Sequence, residues 1–109
     1  MQIRFYISSS GRSPIEKFIL GLAKEDQAKF NDVFEGITAN GLEFAAVEFR
    51  HLQGKLWEIK FKAKGGGYRV IYVMVEKDSM VWLHAIKKDG QKTPPEDLDL
   101  AERRMKEVL

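Results

Sequence analysis

Apolar positions fall on two different periods along this chain, and the change from one to the other divides it. IRFYI (3–7) is rich in β-formers and predicts a first strand, which SSSGRS breaks. Two stretches at helical spacing follow. Ser13-Pro14-Ile15-Glu16 is a capping box with proline at the first helical position, and Ile15, Phe18, Ile19 and Leu22 come after it on one face. Gly21 predicts that this helix is short. A second helix is predicted over 24–39, with Phe30, Val33, Phe34 and Ile37 on one stripe and Asn40-Gly41 as its stop. The two read as an amphipathic hairpin laid over one face of a sheet.

From residue 45 the period is two. VEFRHL (47–52) is a weak strand ending at Gly54. KLWEIKFK (55–62) alternates cleanly, with Trp57, Ile59 and Phe61 on one side and Glu58, Lys60 and Lys62 on the other. GGG (65–67) reads as a loose hairpin connection. YRVIYVMVE (68–76) is almost continuously apolar, which predicts a central strand buried on both faces. KDS (77–79) turns the chain, and MVWLHAIKK (80–88) is the last strand. Thr93-Pro94-Pro95-Glu96 reads as a second capping box, opening a helix with Leu98, Ala101, Met105 and Val108 on one stripe. The expected fold is α+β in a single domain over 1–109: N-terminal strand, two-helix hairpin, antiparallel meander sheet, C-terminal helix. With the helices on one side, the other sheet face is expected to lie open.

Charge gives that open face a meaning. The net charge of +2 hides an asymmetry: residues 1–49 sum to −2, residues 50–92 to +6 and residues 93–109 to −2. Alternation puts Glu58, Lys60 and Lys62 on the face away from Ile59. Hairpin pairing brings Arg69 beside Lys60 or Lys62, and antiparallel pairing brings Lys87 and Lys88 to the same end of the sheet. Unit charges ~4 Å apart repel by roughly 4 kcal/mol at an effective dielectric near 20, which an anionic ligand relieves. Phosphate fits, because arginine binds it bidentately. The other reading is a solvated lysine-rich edge that blocks aggregation.

Glu58 has three readings: a general base, a brace for the cations, or a surface pair with Lys60 worth ~0–1 kcal/mol. His51 and His84 are the only histidines, and neither has a partner at metal-ligand spacing, so no metal is expected. A lone strand histidine is more often structural than catalytic. Tyr68, if exposed, can stack on a base; Tyr72 is expected in the core. No phosphate loop, dinucleotide fingerprint or nucleophile elbow occurs. The chain has no cysteine, its start lacks a signal-peptide core, and no apolar run reaches membrane-spanning length. A cytoplasmic protein, with no membrane partner, is expected.

LWEIKFK (56–62), YRVIYVM (68–74) and WLHAIKKDGQKTPPEDLDLAERRMKEV (82–108) together resemble the RelE/ParE toxin superfamily, and within it the phage-derived Gp49-like, HigB-type branch. The resemblance implies the toxin of a type II toxin–antitoxin pair. Such a toxin is a ribosome-dependent mRNA endonuclease that needs no metal or other cofactor: a ribose 2′-OH attacks the adjacent phosphate and leaves a 2′,3′-cyclic phosphate. Its partners are the ribosome with its mRNA and a small helix-turn-helix, HigA-like antitoxin. By position, the resemblance implies catalytic roles for Arg69, Lys60, Glu58 and Lys88, and RNA binding by Lys62, Lys87, Lys92 and His84. The same superfamily holds ParE-like gyrase poisons, so DNA gyrase is the alternative target. An inactive prophage-derived binding protein is a third reading.

Overall fold

A computed structural model describes residues 1–90 and 92–109. Among the described residues, five strands and three α-helices follow one another: β1 (Gln2–Phe5), α1 (Pro14–Leu20), α2 (Lys24–Asn40), β2 (Glu48–Gln53), β3 (Leu56–Ala63), β4 (Gly66–Glu76), β5 (Ser79–Lys87) and α3 (Pro95–Val108). The class is α+β. The strands form one sheet in the order β1-β5-β4-β3-β2. Neighbours from β2 to β5 run antiparallel, and β1 lies parallel to β5 at the edge. No described helix is long and apolar enough to cross a membrane.

The first helix starts as its sequence dictates: Ser13 Oγ accepts from the Glu16 N–H at 3.2 Å, and Pro14 opens the first turn. Gly41, at φ 64°, ends α2 in a backbone region that side chains disfavour. Phe30, Val33 and Ile37 are buried against Ile59, Phe61, Tyr68, Val70 and Trp82. Phe30 alone meets Phe61 at 5.0 Å and Tyr68 at 5.2 Å between ring centroids, both edge to face. Burying one such side chain contributes ~1.5–3 kcal/mol.

The second face of the sheet is not left open. Ala101 and Met105 of α3 are buried with Leu56, Ile71, Val73, Val81 and Leu83. The expectation that all helices share one side is therefore corrected. The reason is legible in β4: residues 67–73 are buried on both faces, and such a strand needs cover on both. Trp57 departs too. It has the parity of Ile59 and Phe61, but it is 38% exposed and pairs edge-on with His51 at 5.1 Å instead of lying beneath the helices.

The glycine run is tighter than a loose connection. Ala63 pairs with Gly66, so only Lys64 and Gly65 form the turn and Gly66 and Gly67 belong to the strand. A methyl group on Gly65 would stand 2.2 Å from Asp26 Oδ2, and one on Gly67 2.6 Å from Asp89 Oδ1. The glycines let two carboxylates approach the hairpin backbone: Gly65 N–H donates to Asp26 at 3.1 Å and Gly67 N–H to Asp89 at 3.0 Å.

Candidate phosphate-binding site

Register builds the site in two cross-strand rows on the α3 face. One row is Glu48, Lys60, Arg69 and Ile86; the next is Arg50, Glu58, Ile71 and His84. Of the two neighbours that alternation allowed Arg69, the structure selects Lys60. Two cations directly opposed across strands destabilise a sheet unless a countercharge or water intervenes. Lys60 is half-buried, and its long stem lets the ammonium stay in water. Arg69 has no such escape: it is 1% exposed, and Glu58 beside it is 0% exposed.

Arg69 and Glu58 form a buried pair, with Nη1 3.7 Å from Oε2. Such a pair is held only when hydrogen bonds offset the loss of hydration. The segment before α3 supplies them. Thr93 Oγ1 accepts from Arg69 Nη1 at 3.0 Å and donates to Glu58 Oε1 at 2.6 Å. The Gly90 carbonyl accepts from Arg69 Nη2. Arg50 reaches Glu58 Oε2 from the other side at 3.9 Å, with its own side chain 39% exposed. Glu58 Oε2 and Arg69 Nε have no hydrogen-bond partner among the described residues. A depression of about 220 Å³ opens above them, lined by Arg50, His51, Leu52, Glu58, Arg69, Lys92, Thr93 and Leu98.

Thr93 therefore does not cap α3, as the Thr-Pro-Pro-Glu spacing had predicted. Pro94 takes the cap position, with no side-chain cap hydrogen bond among the described residues. Proline at 95 removes one amide that a cap would serve, and the threonine hydroxyl is committed to Glu58 and Arg69.

The remaining predicted residues divide between faces. Lys62 shares the Arg69 face and is exposed; Lys88 and Lys92 are exposed beyond β5, with Lys92 on the rim of the depression. Lys87 pairs with Tyr68, and alternation turns it to the opposite face. There its charge acts on Asp26. The Asp26 carboxyl is held below the usual carboxylate range, mainly by the Tyr68 hydroxyl and then by the Gly65 N–H, with Lys87 and Lys64 adding to it and burial opposing. Tyr68 is pushed up to about 12 by burial and by Asp26, and Tyr72 to about 12 by burial. Tyr68 is thus core material and presents no ring for base stacking.

His84 is half-buried under α3. Its Nε2 lies 2.7 Å from Asp97 Oδ1, and its Nδ1 lies 3.4 Å from Arg104 Nη1. Arginine only donates, so Nδ1 accepts and Nε2 carries the proton given to Asp97. Arg104 also donates to the Leu83 carbonyl at 2.8 Å and sits 5.1 Å from the Tyr6 ring centroid. His84 thus ties α3 to β5. His51 Nε2 lies 2.8 Å from the Gly54 carbonyl at the β2–β3 turn. No group of three His, Asp or Glu side chains that could hold a metal occurs among the described residues.

Sequence reasoning missed Arg50 and Thr93. The alternation of β2 hinted at Arg50, but its face depends on the register with β3, which shifts between His51 and Gln53.

A small α+β domain that gathers cations around one buried carboxylate at a sheet end belongs to the class of proteins suited to an anionic partner. The model of the family described as phage derived protein Gp49-like (DUF891) matches residues 17–106, and the chain belongs to that family. Its members are commonly toxin-like proteins of phage origin. No curated protein matches the chain.

Proposed function

We propose that this protein is the toxin of a type II toxin–antitoxin pair and cuts mRNA on the ribosome. The observation that carries the reading is the depression where Arg50, Lys92 and the buried Arg69 surround Glu58. Among the lining residues one carboxylate faces three cations; Glu48, 3.7 Å from Arg50, offsets one charge and still leaves the site positive, and a phosphodiester is the ligand that complements it. In this reading a ribose 2′-OH forms a bond to the adjacent phosphorus and the bond from phosphorus to the 5′-oxygen breaks. The hydroxyl proton passes to Glu58, and the departing 5′-oxygen takes a proton from Lys60. Arg50 and Lys92 meet the phosphate from the rim, Lys88 reaches it from beyond β5, and Lys62 holds a flanking phosphate. Arg69 acts from below, through its charge and its hold on Glu58. A preorganised cation aimed at developing charge contributes ~10²–10³ in rate, and a positioned base ~10²–10⁴.

Burial supplies a reason for ribosome dependence. Glu58 is 0% and Arg69 1% exposed, so in this reading Glu58 takes the proton only once seated RNA has drawn its carboxylate to the surface. A ribosome holding its mRNA provides that positioning, which is worth ~7–11 kcal/mol in well-oriented reactions. The antitoxin partner in this reading is a small helix-turn-helix protein of the HigA type that covers the basic rim.

The test is induction in cells followed by mapping of RNA 5′ ends, for the wild type and for Arg50→Ala with Lys92→Ala. Growth arrest with new cuts inside translated codons, both lost in the variant, supports the nuclease. Growth arrest with intact mRNA and broken DNA transfers the target to gyrase. Absence of toxicity leaves a basic edge that serves only to bind a partner.

A further inference from the structure

We propose that Trp57 and His51 form a nucleobase subsite beside the depression, where the base next to the scissile phosphate stacks on the indole. The inference rests on the nuclease reading above and adds a recognition element to it. Trp57 alternates with Ile59 and Phe61, which are 0% and 5% exposed, yet it is itself 38% exposed. Among the described residues the other large apolar side chains exposed to this degree, Ile7, Leu20, Leu42 and Leu109, are aliphatic. The cross-strand partners of Trp57 are Tyr72 on β4, which is buried, and His51 on β2, which is exposed. The indole therefore has core on its β4 side and water on its β2 side.

His51 connects this ring to the phosphate site. It lines the depression together with Arg50 and Lys92, and its ring centroid is 5.1 Å from that of Trp57, with 62° between the planes. At that angle the rings meet as two sides of a notch and do not stack on each other, so a flat base can lie on the indole. The Gly54 carbonyl only accepts, so His51 Nε2 donates to it at 2.8 Å and the imidazole is held against the β2–β3 turn. That turn is uncrowded: β2 is an outer strand, Gln53, Gly54 and Lys55 are exposed, and a methyl group on Gly54 would meet no described atom within 4 Å. Arg50 and His51 are consecutive in a strand, so they project to opposite faces about 3.3 Å apart along it. A nucleotide whose phosphate meets Arg50 on one face can pass the free edge of β2 and lay its base on the other. The cations nearby, Arg50, Lys55 and Lys92, favour a nucleic acid over an apolar protein segment as the occupant. Stacking uses the π-face that every base has, so the subsite holds a base without reading its identity.

The test is a cycle between protein and RNA. Trp57→Leu keeps an apolar side chain and removes the ring; Trp57→Tyr keeps a ring. Both are first checked for folding by thermal unfolding. Cleavage on programmed ribosomes is measured as a second-order rate constant, which counts binding and positioning together. The mRNA has the nucleotides of the cut codon replaced one at a time by abasic ribose. The expected result is a fall of ~10- to 10²-fold for Trp57→Leu and a smaller, several-fold fall for Trp57→Tyr. One abasic position should lower the wild-type rate by a similar factor and cost Trp57→Leu little more. A folded Trp57→Leu that cuts at the wild-type rate overturns the subsite and gives the indole to a protein partner. Abasic substitutions that cost both proteins equally also overturn it, because base and ring then act independently. If no abasic position slows the wild type, the subsite is overturned without recourse to any variant. A wild type that cuts on ribosomes sustains the nuclease reading whichever way Trp57 falls; one that cuts no RNA overturns that reading and the subsite with it.

Discussion

Replacing Arg69 is the obvious way to probe the site, and the structure predicts that the simple replacement misleads. Arg69→Met removes the guanidinium and keeps most of the volume. It leaves Glu58, 0% exposed, with the Thr93 hydroxyl and a partly exposed Arg50 at 3.9 Å. It also orphans the Gly90 carbonyl and one side of Thr93. Breaking a buried pair by deleting one partner costs about 3–5 kcal/mol. That is a large part of a typical stability of ~5–15 kcal/mol. At this size a loss of 1 kcal/mol lowers Tm by ~4 °C, so the expected fall is ~12–20 °C. The double variant Arg69→Met with Glu58→Met removes both charges, and much of the loss should return. The assay is thermal unfolding of wild type, both single variants and the double variant, which gives the coupling between the two positions directly. A single variant whose Tm lies within a few degrees of wild type would refute the reasoning, since the pair could then not be desolvated as described. The consequence for function is direct: lost toxicity in an Arg69 variant speaks for chemistry only where the protein is shown to be folded at the growth temperature.

Three further outcomes are expected. Arg50→Ala removes a half-exposed side chain and should change stability by no more than ~1 kcal/mol, while lowering ribosomal cleavage on the order of 10²-fold; comparing the urea midpoint with the cleavage rate checks this. Because the Asp26 carboxyl is held below its ordinary 3.8, chiefly by the Tyr68 hydroxyl, its contribution is present above that value and lost as pH falls through the folded-state value. Tyr68→Phe should therefore narrow the gap between urea midpoints at neutral and acid pH, and an unchanged gap would count against the link. Gly67→Ala places a methyl group 2.6 Å from Asp89 Oδ1 and 3.2 Å from the Lys88 carbonyl, so it should cost ~1–3 kcal/mol in denaturant unfolding.

The sequence alone determined what depends on neighbours along the chain. Period, caps and glycines defined α1, α2 and the strands to within about two residues of their observed ends. The almost continuously apolar run 68–76 announced a strand buried on both faces, which the structure places third of five. The stretches LWEIKFK, YRVIYVM and WLHAIKKDGQKTPPEDLDLAERRMKEV together suggested the Gp49-like family, and the family match covers residues 17–106. Tertiary structure decided everything that depends on pairing and on which helix covers which face. Alternation fixes a face only relative to other residues of the same strand, so Lys87 could be set apart from Arg69 only by the β4–β5 register, and Arg50 joined to Glu58 only by that of β2–β3. Thr93 shows the limit most clearly. Its local sequence has the form of a helix cap, but the hydroxyl is bonded to Glu58 and Arg69, 35 and 24 residues back along the chain. A buried charge pair needs hydrogen-bond partners, and no local pattern records which distant residue will provide them.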